Sequence, residues 1–204
     1  MGTYPKEVFR KSLHMIGVAG VIVWFYTLDD WRQSITVTLA ITVVIYPMLY
    51  LGSRIPGMTE FFNARKKGEY AKSFAALFLT YIMVAAVCWG YFNQRILGVA
   101  SFMAWGPGDA AAALVGKRYG KHKIGRKKAK TLEGSTAMFV LSLFNVLFVL
   151  YLSGLFSIPA LILVSLITAI VTTITELKVL GGYDTLFCPL AAMTVLCISY
   201  MIIL

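Results

Sequence analysis

The chain has 204 residues, of which 59% are hydrophobic and 14% are charged, and its mean hydropathy is +0.77. A soluble domain is about half apolar and about a quarter charged, so this composition excludes a soluble protein and indicates an integral membrane protein. The net charge of +10 favours anionic partners such as phosphates, nucleotides and acidic lipid headgroups. Nucleic acid is disfavoured, because the cations stand in short segments between apolar stretches.

Seven apolar stretches predict an all-α membrane protein with about seven transmembrane helices. Each stretch is close to the length of about 20 residues that a helix needs to cross a bilayer. The stretches are continuous rather than alternating, which disfavours a membrane β-barrel. The length suits one bundle, so residues 1–204 are expected to form a single domain. The predicted spans are 11–27, 35–51, 73–92, 96–115, 135–153, 158–175 and 186–204.

The cations between these stretches predict the orientation of the bundle. When the spans alternate in direction, all but Arg32 and Arg95 of the 19 Lys and Arg residues fall on one side of the membrane. Cytoplasmic loops carry an excess of Lys and Arg, so we expect the amino terminus inside and the carboxyl terminus outside. Most acidic residues fall on the same side. This distribution predicts chemistry at the cytoplasmic face, at the cell membrane if the source is prokaryotic, rather than transport across the bilayer.

The fourth stretch contains Gly106-Pro107-Gly108, directly followed by Asp109. Proline removes a backbone donor and glycine weakens a helix, so these residues predict a break in the fourth helix. A carboxylate at such a break can cap the restarted helix, and that structural role is one interpretation. Broken membrane helices also line ligand cavities. Asp109 is therefore expected to ligate Mg²⁺ or to abstract a proton from an alcohol.

The densest basic segment, 117–130, follows the fourth stretch and holds eight Lys and Arg residues. These cations either anchor the protein at the lipid surface or neutralise a triphosphate, whose charge must be balanced during phosphoryl transfer. Gly116 and Gly120 would let backbone N–H groups approach phosphate. The surrounding sequence contains no βαβ unit for dinucleotide binding. It also fails as a P-loop, because His122 stands where Ser or Thr is required.

Two further segments place polar groups at the ends of apolar stretches. Arg10 and His14 stand four residues apart and share a helix face, with Lys11 beside them. These cations either extend to the membrane surface or bind phosphate, and a lone histidine in apolar sequence is more often a neutral core residue. The segment that opens the fifth stretch offers Thr131 as a helix cap and Glu133 as a metal or phosphate contact.

The last inner loop places two acids on either side of a flexible turn. Glu176 and Asp184 flank Gly181-Gly182. If the loops converge in the fold, these two carboxylates could share a metal ion with Asp109.

Together these segments resemble the CTP-dependent lipid-alcohol kinases of membranes. That group includes dolichol, phytol, polyprenol and fungal-type diacylglycerol kinases, and it is related to phosphatidate cytidylyltransferases. The resemblance extends over nearly the whole chain, and its most specific part is the combined GD…G…G…K[ST]xEGS pattern. Thr131 replaces the more common Ser of that pattern and keeps the hydroxyl, whereas Thr185 stands where the family usually has Asn. The matching segments are Arg10-Lys11-xx-His14, Arg65 to Glu69, Gly108-Asp109 with Gly116, Gly120 and Lys121, Lys130 to Ser135, and Glu176, Asp184 and Pro189.

The resemblance implies CTP as the donor, a membrane lipid alcohol as the acceptor, and Mg²⁺ or another divalent cation as cofactor. It implies catalytic roles for Asp109 and Glu133. The metal ligands are expected among Asp109, Glu133, Glu176 and Asp184. Residues expected to bind nucleotide and phosphate are Arg10, Lys11, His14, Arg65, Gly116, Lys117, Gly120, Lys121, Lys130, Thr131, Gly134 and Ser135.

Three functions stay open at this point. The favoured one is CTP-dependent phosphorylation of a lipid alcohol such as a polyprenol, a phytol- or dolichol-like alcohol, or diacylglycerol. The second is transfer of a cytidylyl group to a lipid phosphate, as in phosphatidate cytidylyltransferases. The third is a non-catalytic membrane protein whose basic segment binds anionic lipid, which gives no reason for the Gly-Pro-Gly-Asp sequence.

Overall fold

The computed structural model describes residues 3–55, 69–124, 130–179 and 183–203, and most of these residues are helical. The π-helical segment Ala85–Tyr91 continues the third helix. Two short antiparallel strands lie between the fourth and fifth helices: β1 (Lys123–Ile124) and β2 (Lys130–Thr131). The helices are α1 (Thr3–Thr27), α2 (Trp31–Gly52), α3 (Glu69–Val84), α4 (Arg95–Tyr119), α5 (Leu132–Ser153), α6 (Ile158–Lys178) and α7 (Asp184–Ile203).

The seven predicted apolar stretches correspond one by one to α1–α7, which confirms the all-α membrane fold. Within the described ranges, six helices are long and apolar enough to cross a membrane, and α4 is the helix outside that set. With 25 residues, α4 spans about 37 Å at the usual helical rise, so its length suffices to cross a bilayer. The exact number of crossings and the orientation of the termini stay predictions.

The less apolar α4 is the central helix of the bundle. It packs against α1, α5, α6 and α7, and its most extensive contact is with α5. Leu97, Phe102 and Trp105 are fully buried on α4. Because neighbouring helices rather than lipid cover much of its surface, α4 can carry glycines and a carboxylate without exposing them to hydrocarbon.

The predicted break at Gly106-Pro107-Gly108 is wrong, because α4 continues without interruption from Arg95 to Tyr119. Neighbouring helices supply polar partners to the backbone around the proline. Ser142 on α5 donates a hydrogen bond to Ala104 O, and His14 Nε2 on α1 lies 3.3 Å from Gly106 O. Partners of this kind allow a membrane helix to tolerate an internal proline.

The two glycines beside Pro107 allow close helix packing rather than a break. A Cβ atom on Gly106 would lie 2.7 Å from Val18 Cγ1 on α1. A Cβ atom on Gly108 would lie 2.7 Å from Ser142 Oγ on α5. The sequence therefore brings α1 and α5 against α4 at the turn that carries Asp109.

The opposite end of α4 begins with Arg95, which is held by backbone and by an aromatic ring. Its Nη2 atom donates to Asp29 O at 2.7 Å, and its guanidinium carbon lies 3.9 Å from the centre of the Trp89 ring. These contacts tie the loop between α1 and α2 to the start of α4. A cation over an aromatic ring is a favourable contact of modest energy.

Candidate active site

Asp109 lies on α4 with its side chain 7% exposed, facing α1. Lys11 Nζ donates to Asp109 Oδ2, and the two residues form a buried ion pair. His14, one turn further along α1, places Nε2 3.6 Å from the same carboxylate oxygen. The imidazole ring is held edge-on to Trp105, with ring centres 4.7 Å apart. The N-terminal helix and the central helix thus join in one polar contact.

A second ion pair, with a buried carboxylate and a partly exposed lysine, lies at the end of α6. Lys130 on β2 donates to Glu176 Oε1 in the last turns of α6, and Glu176 is 2% exposed. Its other oxygen, Oε2, has no hydrogen-bond partner among the described residues. A buried carboxylate oxygen without a partner is costly, so it is available to ligate a metal ion or to accept a hydrogen bond from a water molecule or a ligand hydroxyl.

The two ion pairs lie close enough to interact electrostatically. Asp184, in the first turn of α7, interacts with members of both pairs. The charge of Asp109 is affected by Lys130 as well as by Lys11. Asp184 interacts with Asp109, Lys11 and Lys130, and Glu176 interacts with Asp109 and Asp184. We call this set the central cluster: Lys11, His14, Asp109, Lys130, Glu176 and Asp184.

The central cluster brings together side chains from α1, α4, β2, α6 and α7. Its three carboxylates outnumber its two ammonium groups by one formal charge. Burying so many charges is expensive unless they are paired, and ionisable groups inside membrane helices are associated with function. The arrangement can therefore accept a cation at its carboxylates and an anion at its lysines.

The donor set fits Mg²⁺ in one particular way. Among the described residues, no group of three or more His, Cys, Asp and Glu side chains has the spacing of a protein-only metal site. Mg²⁺ is commonly bound through one or two carboxylates, water molecules and substrate phosphates. Asp109, Glu176 and Asp184 could supply such carboxylates. The metal assignments stay predictions.

Glu7 is a buried residue at the edge of the central cluster that sequence reasoning did not select. It is 5% exposed, accepts a hydrogen bond from Arg10, and accepts another from Lys117 at 3.2 Å. Glu7 therefore links α1 to the end of α4 and holds two of the predicted phosphate-binding cations. The spacing of Glu7, Arg10, Lys11 and His14 puts them on one helix face, and that pattern could have identified Glu7.

Glu133 is not brought into the central cluster. Its carboxylate accepts hydrogen bonds from the His122 backbone N–H at 3.2 Å and lies 2.8 Å from His122 Nδ1. These contacts close the β1–β2 segment onto the start of α5. Among the described residues, Glu133 and Asp109 make no contact with each other. The catalytic and metal roles of Glu133 stay predictions.

The residues around Glu133 form the start of α5. Thr131 caps the helix by accepting a hydrogen bond from Gly134 N at 3.2 Å, and the Ser135 hydroxyl donates to Thr131 O at 3.1 Å. A Cβ atom on Gly134 would lie 2.7 Å from Ala112 O, so glycine lets α4 and α5 touch here. Gly116 faces the same contact, since a Cβ there would lie 2.7 Å from Thr131 Oγ1.

The remaining residues predicted from the motifs lie outside the central cluster or outside the described residues. Gly120 caps α4 and its backbone N–H donates to Gly116 O at 3.1 Å. Lys121 is exposed at the start of the β1–β2 segment. Arg65 lies outside the described residues. Thr185, which departs from the family pattern, uses its backbone oxygen to accept a hydrogen bond from Thr80 at 3.2 Å.

Comparison with known proteins gives one informative relative. No protein-family model matches the chain, and no solved structure matches it significantly. The phytol kinase of Synechocystis sp. is 28% identical over 197 residues, which cover 92% of this chain and 77% of that protein. The chain is thus an all-α, multi-pass membrane protein that is similar over almost its whole length to a lipid-alcohol kinase.

Proposed function

We propose that this protein transfers the γ-phosphate of CTP to the hydroxyl of a membrane lipid alcohol at the cytoplasmic face. The observation that carries the proposal is the central cluster, in which the ion pairs Lys11–Asp109 and Lys130–Glu176 lie close enough to interact and each contains a buried carboxylate. The similarity to a phytol kinase supports a lipid alcohol as acceptor. A long isoprenoid alcohol of the phytol kind is the acceptor we favour.

Phosphoryl transfer depends mainly on positioning and on neutralising charge, and the central cluster has groups for both. Lys11 and Lys130 each pair with a carboxylate, and they are the cations of the central cluster that are available to a triphosphate. Arg10 and Lys117 stand next to them, held by Glu7. Nucleotide binding would draw these cations toward the phosphates and leave the carboxylates to hold metal.

Asp109 is the residue we assign to the acceptor hydroxyl. The oxygen of that hydroxyl attacks the γ-phosphorus, the bond from the γ-phosphorus to the β–γ bridging oxygen breaks, and CDP leaves. The hydroxyl proton passes to the Asp109 carboxylate, while His14 and Lys11 fix the orientation of that carboxylate. One or two carboxylates from among Asp109, Glu176 and Asp184 would hold Mg²⁺ together with the phosphates of the nucleotide, and the metal would neutralise charge on the transferred phosphoryl group.

The distribution of cations along the sequence supports the proposed cytoplasmic location. All but Arg32 and Arg95 of the Lys and Arg residues fall on one side of the alternating spans. The central cluster forms where α6 ends and α7 begins, and the predicted orientation puts this connection on the cytoplasmic side. CTP from the cytoplasm would reach it directly.

The experiment uses the purified full chain in lipid with CTP labelled at the γ-phosphate and a panel of lipid alcohols. We expect label in the lipid, with phytol-like alcohols among the acceptors. Transfer of label from the α-phosphate into the lipid would instead establish cytidylyl transfer. A protein that binds anionic lipid and labels no lipid from either position would contradict both reactions.

A further inference from the structure

A groove lies between α6 and α7 at the surface of the bundle. Its volume is about 490 Å³, within the range of ligand pockets. The residues that matter here are Val171, Thr175 and Lys178 on α6, and Phe187, Ala191 and Thr194 on α7. From Val171 to Lys178 the groove covers about 10 Å of helix length at the usual rise.

The groove offers a mainly apolar surface to a ligand, although two threonines line it. Thr175 donates its hydroxyl hydrogen bond to Val171 O at 2.8 Å, and Thr194 donates to Leu190 O at 2.9 Å. Both hydroxyls are therefore satisfied by their own helices. The surface left to a ligand consists of methyl groups and aliphatic or aromatic carbon, which suits a hydrocarbon chain.

One end of the groove is charged and leads to the central cluster. Lys178 is exposed in the last turn of α6 and has no carboxylate partner among the described residues. On α7, Asp184, Phe187, Ala191 and Thr194 follow the spacing of one helix face. The apolar floor formed by α7 therefore ends, one turn before Phe187, at a carboxylate of the central cluster.

We infer that this groove holds the hydrocarbon tail of the lipid alcohol. The hydroxyl end is directed along α7 toward the central cluster at Asp184. Lys178 lies beside the phosphate of the product. This inference rests on the proposed function. A slot that fixes the first part of the tail would hold the hydroxyl in line with the phosphoryl group. The remainder of a longer tail would extend into the bilayer, whose hydrocarbon is equally apolar.

The groove can be filled without touching the central cluster. In Ala191→Trp and Thr194→Trp, we expect kcat/KM for the lipid alcohol to fall about ten- to a hundred-fold, because a misplaced hydroxyl reacts poorly. The Kd for CTP should not change. Ile198→Trp is the matched control, since Ile198 is exposed on α7 beyond the groove and does not line it. Unchanged kcat/KM in both filled variants would overturn the inference.

A binding experiment separates this inference from the proposed function. A lipid alcohol with a photoreactive diazirine near its hydroxyl should cross-link to Phe187 or its neighbours on α6 and α7, and less so in Thr194→Trp. Lys178→Gln should weaken binding of the phosphorylated lipid by several-fold and leave binding of the alcohol unchanged. If no alcohol is phosphorylated, the proposed function fails. Cross-linking to α6 and α7 would then still support the lipid site, and cross-linking confined to other helices would overturn it.

Discussion

Asp109 and Glu133 are two acids that the sequence associates with the same chemistry, yet they lie in different surroundings. The Asp109 side chain is 7% exposed and pairs with Lys11, which is distant in sequence. The Glu133 side chain is 26% exposed and pairs with His122 of the adjoining β1–β2 segment. Both carboxylates have partners, but the partners of Asp109 come from another membrane helix.

The surroundings of Asp109 depend on the packing of two membrane helices, whereas those of Glu133 depend only on the adjoining segment of the chain. A buried ion pair between two helices is costly to form and needs both partners in place. The exposed contact between Glu133 and His122 contributes little energy and closes a short loop. Chemistry is therefore expected at Asp109, and support of the loop at Glu133.

The largest expected effect comes from Asp109→Asn. We expect kcat for lipid phosphorylation to fall by at least about 10³, because the proton acceptor and a metal donor are lost together. Initial rates with γ-labelled CTP measure this. Activity within about ten-fold of the unmodified protein would mean that the buried pair is structural.

The same substitution leaves Lys11 buried without its partner, which is expected to cost about 3–5 kcal/mol of stability. The double variant Lys11→Met with Asp109→Asn should recover much of this loss and remain inactive. Thermal unfolding in detergent, followed beside the activity assay, distinguishes a folded inactive protein from an unfolded one.

The next largest effect is expected from substitutions that separate the roles of Lys130 and Glu176. Lys130→Met should weaken CTP binding about ten- to a hundred-fold, the loss of one charge-assisted hydrogen bond. Glu176→Gln should retain CTP binding, lower kcat about ten-fold and raise the Mg²⁺ concentration needed for activity. Nucleotide titration and Mg²⁺ dependence measure the two effects.

Lys123→Met is the matched control for Lys130→Met, because Lys123 belongs to the same basic segment, is exposed and is not among the residues expected to bind nucleotide. Equal losses of CTP binding in both variants would indicate that the segment acts only through its total charge. In that case the pairing of Lys130 with Glu176 would not matter for the nucleotide.

A smaller effect tests whether Gly134 serves packing. In Gly134→Ala, the new Cβ would meet Ala112 O at 2.7 Å, a backbone atom that cannot turn aside. We expect a loss of about 1–3 kcal/mol in stability, as for other overpacked contacts. Gly20→Ala on α1 is the control, since nothing lies within 4 Å of a Cβ there. Unchanged stability with lost CTP binding would assign Gly134 to phosphate instead.

The smallest effect is expected for Glu133→Gln. If Glu133 only supports the loop, kcat should stay within about three-fold of the unmodified value, in the range of surface substitutions. His122→Ala should behave alike. A fall of a hundred-fold in Glu133→Gln alone would end the contrast with Asp109, and would show that Glu133 reaches the reacting groups when nucleotide is bound.

Much of the fold could be predicted because apolar length along the sequence determines which segments cross a bilayer. Asp109 could be selected because a lone carboxylate in apolar sequence is costly and needs a reason. Its partner could not be found, since the pairing of α1 with α4 is a tertiary contact. The predicted break failed because local rules for proline ignore the polar groups that Ser142 and His14 bring from other helices.

Glu7 and Glu133 both show that sequence spacing does not reveal tertiary contacts. The sequence does not single out Glu7, because its importance arises from Lys117, which only the fold brings near. The motif that contains Glu133 predicts a catalytic role, whereas the contacts of Glu133 in the fold are with His122. Sequence spacing identifies side chains that share a face of one helix, but it does not tell which helices face each other.

The central position of α4 has a consequence for how the protein is made. A helix that carries Asp109, a proline and several glycines is poorly suited to enter lipid alone, because its polar groups would meet hydrocarbon. During synthesis α1, α2 and α3 emerge first, and α5 emerges after α4. Stable insertion of α4 should therefore require α5. In a chain that ends shortly after Tyr119, we expect the fourth helix to insert into the membrane inefficiently.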